Sequence, residues 1–251
     1  MILAVLQARM SSRRLPGKVA RPILGQPMLA RQIERILRAS RIEKLVVATS
    51  IEPEDDEVEG IAAAAGVGCF RGALDDVLDR FYRATLPHAP SHVVRLTGDC
   101  PLTDPAVIDR VVEFALGGDY DYTSNTVRPT WPDGLDVEVV THAALARAWH
   151  EATARDEREH VMPYLWRRPE VFRIGSVEQD TDLSTLRWTV DEPSDFEFVE
   201  RVYAALYPRD PAFTTAAILE LLAHNPSLGA INAGHQRNEG LLNPIGSNTD
   251  D

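Results

Sequence analysis

Short runs of continuously apolar residues recur along the first half of this chain, each separated from the next by a stretch of helical period. "ILAVL" (2–6), "KLVVATS" (44–50) and the start of "HVVRLTGDCP" (92–101) read as strands, and "VGCFRG" (67–72) as a shorter one. The first two lack alternation, as expected of strands covered on both faces. Between them, residues 27–39 place Leu29, Ile33, Ile36 and Leu37 on one helical face. The 53–66 stretch opens with acids and closes on Gly, which suits the helix macrodipole and a helix end. Residues 74–86 form an amphipathic helix, and in 104–118 Asp104 is the N-cap with Pro105 at the first helical position. Such alternation requires a mostly parallel sheet with helices on both faces and right-handed crossovers.

After residue 118 the rhythm changes. "GLDVEVVT" (134–141) alternates like a half-exposed strand, and "VFRIGSV" (171–177) and "TLRWTV" (185–190) are further strand candidates. Helices are expected near 142–154, 157–167, 194–207 and 214–224. No repeat or Pro/Gly linker divides the chain. The expectation is one domain over 1–242, with an inserted subregion at about 119–180. The polar residues 243–251 are expected to be a disordered tail.

The 251 residues carry a net charge of −12, which argues against a general nucleic-acid or membrane-surface binder. The charge is uneven. Residues 1–42 hold nine Arg and Lys against the single acid Glu34, so this segment is +8 and the remainder −20. Four of those cations, Arg9, Arg13, Arg14 and Lys18, fall in "LQARMSSRRLPGK" (6–18), just past the first strand. Ligands of open α/β sheets bind at the carboxyl ends of the strands, and cations joined by loop N–H groups make a triphosphate cradle there. The loop is neither a Walker A motif, since Val19 follows Lys18, nor a dinucleotide G-x-G-x-x-G. Cys69 and Cys100 form no disulfide framework and no CxxC zinc pair. "MILAVL" is too short for a signal h-region and no run is long enough to span a bilayer, so a cytoplasmic protein is expected.

Further groups carry chemistry. Asp99 in "RLTGDCPL" (95–102) stands just past a buried strand, and Asp191 in "RWTVDEPSDF" (187–196) ends a strand-like run. Two strand-end carboxylates suit one Mg²⁺ completed by phosphate oxygens; the competing readings are a turn former and a helix cap. Glu192 and Asp195 belong to the following helix start. Asn125, Asp136 and Glu138 surround a turn and strand, the last two sharing one strand face. An exposed strand face explains them equally well. His160 lies in "EREHVMPYL" (157–165), and a lone His is more often structural than functional. "DYD" (119–121) has the form of a glycosyltransferase metal motif, but it follows Gly117 and Gly118 at a helix end and reads as the start of the next strand.

Taken in order, "LQARMSSRRLPGK", "LTGDCPL", "YTSNT…PDGLDVEVV", "EREHVMPYL", "TVDEPSDF" and "RNEG" (237–240) resemble the cytidylyltransferase family of spore coat polysaccharide biosynthesis protein F. More distantly, the chain is similar to CMP-Kdo and CMP-sialic acid synthetases. The resemblance covers about residues 1–240. It implies a Rossmann-like, GT-A-type nucleotidyltransferase that transfers CMP from CTP to a small acceptor, with Mg²⁺ and release of pyrophosphate. By the same resemblance Arg9, Arg13 and Lys18 contact the triphosphate, with Gln7, Ala8, Thr97, Gly98 and Asp99 on the nucleotide side. Asp99 and Asp191 match the metal aspartates, and Asn125, Asp136, Glu138 and His160 fall in the acceptor half. The related synthetases are commonly dimers, so a homodimer is expected, with no nucleic-acid or membrane partner. In "RNEG" the family's following Tyr is replaced by Leu241. The acceptor stays open between a sugar acid, another sugar and a phosphate or phosphonate metabolite. A sugar-1-phosphate nucleotidylyltransferase using another triphosphate, and a non-catalytic nucleotide-binding module, are the competing functions.

Overall fold

The computed structural model describes residues 1–12 and 14–234. Strand β1 (Ile2–Gln7) is buried along its whole length and alternates its side chains between two cores. A one-turn 3-10 helix (Lys18–Ala20) and a small hairpin of β2 (Pro22–Ile23) and β3 (Gln26–Pro27) lead into helix α1 (Met28–Ile36). Then come β4 (Lys44–Ser50), α2 (Asp56–Ala64), β5 (Gly68–Gly72), α3 (Val77–Thr85), β6 (His92–Thr97) and α4 (Pro105–Gly117). The second half holds β7 (Tyr122–Ser124), β8 (Glu138–Thr141), α5 (His142–Glu151), α6 (Arg155–His160), α7 (Pro163–Trp166), β9 (Ile174–Ser176), α8 (Pro193–Leu206), α9 (Thr215–His224) and α10 (Pro226–Gly229).

Seven strands form one sheet in the order β5-β4-β1-β6-β8-β7-β9. The four strands of the first half are parallel; β8 enters antiparallel to both β6 and β7, and β9 is parallel to β7. Ala4, Leu6, Val94 and Leu96 face a core closed by α1, α2, α4 and α8, through residues such as Ile33, Ile61, Ile108 and Val199. Leu3, Val5, Val93 and Val140 face a second core closed by α3, α5 and α7, through Phe81, Leu145 and Leu165. Period-2 alternation with both faces buried is what removes the visible alternation from "ILAVL". Asp104 caps α4 as expected, its side chain accepting from Ala106 N–H. Among the described residues no helix is long and apolar enough to cross a membrane.

Three expectations for the second half need correction. "TLRWTV" forms no strand; its one ladder contact is a bridge between Asp133 and Arg187. Its backbone hydrogen bonds go instead to loops, Trp188 N to Asp133 O at 2.6 Å and Val190 N to Asp99 O at 2.8 Å. Apolar burial of Trp188 and Val190, rather than pairing, gave it a strand-like pattern. "GLDVEVVT" contributes a strand only from Glu138, and that strand is not half-exposed: wedged between β6 and β7, its Val139 and Val140 are both buried. The 157–167 helix is broken at Val161 into α6 and α7, with Pro163 at the first position of α7. The expected tail at 243–251 and the "RNEG" segment lie outside the described residues.

Candidate active site

β4 and β5 lie on one side of β1 and β6 on the other, so the crossover direction reverses between β1 and β6. Crevices open at the carboxyl ends of strands flanking such a reversal. Here the two strand ends are pressed together: Gly98 N donates to Gln7 O at 2.7 Å. A Cβ on Gly98 would stand 2.9 Å from both Gln7 O and Ala8 Cβ, so this approach needs glycine. Asp99 follows directly, at the lip of the crevice.

The basic loop hangs beside it. Its backbone folds on itself, with Ser12 N and Gly17 N both donating to Met10 O, at 2.8 and 3.0 Å. Gly17 takes the left-handed conformation (φ 67°) and turns the chain into the 3-10 helix that begins at Lys18. The loop is anchored by Asp55, whose carboxylate is fully buried and accepts from Met10 N at 2.7 Å, Ser50 N at 3.0 Å and the Ser50 hydroxyl. All three partners are donors, so an amide in place of the carboxylate turns a donor against donors. Asp55→Asn is expected to cost roughly 1–3 kcal/mol and to weaken triphosphate binding several-fold. Urea denaturation with nucleotide titration checks both; full-strength nucleotide binding in the variant would separate Asp55 from the loop's function. Arg9 is exposed and makes no ion pair among the described residues. Arg13 lies outside the described residues.

Lys18 is only 8% exposed. Its ammonium donates to Asp191 Oδ1 at 2.9 Å, to Val190 O at 2.7 Å and to Asp99 Oδ2 at 3.5 Å. Burial alone would lower its pKa, but the Asp99 and Asp191 charges outweigh burial and raise it. Burial would likewise raise the Asp99 pKa, and Lys18, with a Thr97 hydrogen bond, holds it below the usual carboxylate value instead. Asp191 gathers two more cations, Arg14 at 2.9 Å and Arg187 at 3.2 Å, and Arg14 reaches on to Glu192 at 3.3 Å. Asp191 sits in a loop rather than at a strand end. What fixes it is Asp195, which accepts from Asp191 N and Glu192 N at 3.0 and 2.9 Å; Glu192 and Asp195 form the capping box of α8. The Lys18 ammonium thus stands where two carboxylates converge, and two such oxygen donors suit Mg²⁺ when phosphate oxygens complete its shell. Among the described residues no three or more His, Cys, Asp or Glu side chains are gathered as a metal cage. Cys100 beside Asp99 is buried, and burial with the neighbouring carboxylates pushes its thiol well above the ordinary value.

The residues expected in the acceptor half are placed differently from one another. Asn125 is fully buried as a backbone clamp: its Nδ2 donates to Leu135 O at 2.7 Å and its Oδ1 accepts from Val137 N at 2.9 Å. Both ends of the amide are thereby used by the loop that carries Asp136. Asp136 itself is half-buried, and its charge reaches Cys100. Glu138 accepts from Arg95 and, at 2.5 Å, from the Tyr122 hydroxyl. His160 ends α6, half-buried; burial holds its imidazole below the usual range, and the Arg95 charge adds to that. The next residue, Val161, has φ 73° and ψ −58°, and Met162 N donates to His160 O at 2.9 Å. This is a γ-turn of the rare positive-φ kind, strained for a β-branched residue, and strain of this sort collects where a neighbour's position matters.

Asp55, Arg95 and Arg187 organise this site without having been singled out in the sequence. Arg95 and Arg187 had a signal: each is a lone cation inside an otherwise apolar run, "HVVRLT" and "LRWTV", and a cation buried there needs partners. Asp55 had none, because acids at a helix start are ordinary.

A family model described as cytidylyltransferase matches residues 3–213. The spore coat polysaccharide biosynthesis protein SpsF of Bacillus subtilis is 33% identical over 234 residues, covering 90% of this chain and 95% of that protein. The solved structure of a cytidylyltransferase from Leptospira borgpetersenii superposes with a TM-score of 0.88 at 31% identity, over 94% of this chain and 99% of that one. A 3-deoxy-manno-octulosonate cytidylyltransferase of Anaeromyxobacter is 33% identical over 147 residues, 56% of this chain and 58% of that protein.

Proposed function

The chain belongs to the cytidylyltransferase family, whose members are CTP-dependent nucleotidyltransferases, and from that premise we propose that it moves CMP from CTP onto a small sugar-type acceptor and releases pyrophosphate. The observation that carries this reading is the Lys18 ammonium seated between Asp99 and Asp191, beside a basic loop at the strand-order reversal. The sugar-type acceptor is suggested by the relatives, one named for polysaccharide biosynthesis and another for 3-deoxy-manno-octulosonate.

In this reading Arg9 and Lys18 hold the triphosphate, with Ala8 and Gly98 against the nucleotide. An acceptor hydroxyl attacks the α-phosphorus in line, its bond to phosphorus forming as the bond to the pyrophosphate oxygen breaks and its proton passing to solvent. Charge accumulates on the departing pyrophosphate, and Lys18, exchanging its carboxylate partners for phosphate oxygens, is placed to stabilise it. Asp99 and Asp191 would hold Mg²⁺, which supplies charge neutralisation at the phosphates when bound. Asp55 keeps the loop in register, and the Arg187–Asp195 pair keeps Asp191 in place. Positioning and electrostatics supply most of what such a transfer asks of a protein.

The reading is tested with each of the four ribonucleoside triphosphates, a panel of sugars, sugar acids and sugar phosphates, and product mass by mass spectrometry. It predicts pyrophosphate release and a CMP-bearing product with CTP, and loss of both on chelation by EDTA. Preferential use of another triphosphate would favour the sugar-1-phosphate nucleotidylyltransferase reading instead.

A further inference from the structure

The two aspartates of the crevice are held from several sides. Val190 N donates to Asp99 O at 2.8 Å and the Thr189 hydroxyl to the same oxygen at 3.3 Å, which ties the 189–191 stretch to the end of β6. Asp191 N donates to Asp195, and Asp191 Oδ2 accepts from Arg14 and Arg187 at 2.9 and 3.2 Å. Asp99 Oδ1 accepts from the Cys100 thiol at 3.4 Å. The other two carboxylate oxygens, Asp191 Oδ1 and Asp99 Oδ2, face one atom, Lys18 Nζ, at 2.9 and 3.5 Å. The third donor position of the ammonium goes to Val190 O at 2.7 Å. Lys18 is the soft member of the cluster, a point charge on a flexible four-carbon stem that can swing while the backbone stays put.

An ammonium and a divalent cation compete for this place. Mg²⁺ needs oxygen ligands at about 2.0–2.1 Å, and the two oxygens that converge here are already on Lys18. Charge works in the same direction: of the two negative charges on Asp99 and Asp191, Lys18 cancels one, so a divalent ion arriving alone meets half the attraction and a repelling neighbour. A triphosphate changes both conditions. Its oxygens offer the ammonium an alternative partner of higher charge, beside a loop whose Arg9 makes no ion pair among the described residues. Once the ammonium has moved, both carboxylate oxygens are open.

We propose that Lys18 closes the Asp99–Asp191 pair to divalent cations until a triphosphate takes up its ammonium, so that metal alone binds weakly and metal and nucleotide strengthen one another's binding. This rests on the CTP and Mg²⁺ of the reading above. The coupling is reciprocal: the factor by which the nucleotide tightens the metal is the factor by which the metal tightens the nucleotide.

The test begins without nucleotide. Mn²⁺ suits the same oxygen donors as Mg²⁺ and is followed by electron paramagnetic resonance as it is titrated into wild type, Lys18→Met and Lys18→Gln. Thermal melts check that each is folded; Lys18→Gln keeps an N–H donor for Val190 O and serves if Lys18→Met does not fold. The variants are expected to bind Mn²⁺ about tenfold or more tightly than wild type, and adding Asp99→Asn is expected to abolish the gain. Calorimetry then gives the CTP Kd in EDTA and in saturating Mg²⁺. Chelation of Mg²⁺ by free CTP is common to all the proteins and cancels between them. The Mg²⁺-dependent gain in CTP affinity is expected to be several-fold larger in wild type than in the variants, because only wild type has an ammonium to move.

Equal Mn²⁺ affinity in wild type and a folded variant overturns the proposal, as does a gain that survives Asp99→Asn, or an equal Mg²⁺-dependent gain in wild type and variant. A wild type that shows the coupling yet releases no pyrophosphate with any acceptor overturns the transfer reading and leaves this inference standing. A wild type that does not bind CTP overturns both.

Discussion

Replacing Lys18 with alanine is expected to lower turnover about a hundredfold or more while the fold persists. The ammonium already occupies the point where Asp99 and Asp191 converge, at 3.5 and 2.9 Å, and the transition state brings more negative charge to that point. Removing a preorganised charged donor of this kind typically costs about 3 kcal/mol in the activation barrier, which is roughly a hundredfold in rate. The fold should tolerate the change. Asp191 keeps Arg14 and Arg187, and Asp99 is 30% exposed along its side chain and can draw on water. The loss should fall on kcat as well as on kcat/KM, since the interaction strengthens as pyrophosphate departs. Steady-state kinetics with CTP, beside a thermal melt, check both halves. Near-normal kcat in a folded variant would remove Lys18 from the chemistry.

The largest effect on stability is expected at Arg187, which no phosphate need touch. Its guanidinium is 7% exposed along the side chain and grips Asp195, itself fully buried, at 2.9 and 3.0 Å, and it reaches Asp133 at 3.4 Å. Burial would raise the Asp195 pKa, but Arg187 and the donors at Asp191 N, Glu192 N and Asn232 hold it below the usual value. Arg187→Met leaves that carboxylate in the interior without its counterion, a loss that typically costs about 3–5 kcal/mol. Asp195 also fixes the backbone of Asp191, so activity should fall along with stability. The double variant Arg187→Met with Asp195→Asn should be less damaged than the single, because it strands no charge. Urea denaturation midpoints of the three proteins settle the matter; a single variant within 1 kcal/mol of wild type, on the scale of an exposed pair, would show that the pair carries little.

The parallel half of the sheet was legible because β1 and β4 are buried on both faces and α3 and α4 are capped by aspartates. Asp104 and Pro105 mark the start of α4 as their chemistry requires. The second half was less legible for a physical reason. "TLRWTV" has the composition of a strand because Trp188 and Val190 are buried, yet its hydrogen bonds run to loops; burial and pairing produce the same pattern in a sequence. The break at Val161 was invisible, since nothing in a valine announces a positive φ. At the site, Asp99 stands just past β6 as its position in the sequence suggests, whereas Asp191 was expected at a strand end and instead reaches Lys18 from the loop before α8. The support beneath them was not legible: Asp55 is 45 residues from Met10, and Arg95 is 43 from Glu138, and only the sheet order makes them neighbours. Asn125 looked like an acceptor contact from its polar setting, whereas both ends of its amide are used to shape the loop before β8.

The central claim is that an acceptor oxygen attacks the α-phosphorus of CTP in the crevice between the basic loop and the two aspartates. Parallel reactions with CTP labelled at the α- or the γ-phosphorus, run with the acceptor that supports pyrophosphate release, test this most directly. The account predicts that the α label appears in the acceptor product and the γ label only in pyrophosphate. Recovery of the γ label in the product, or of the α label only in free CMP at the same rate with and without acceptor, would contradict it.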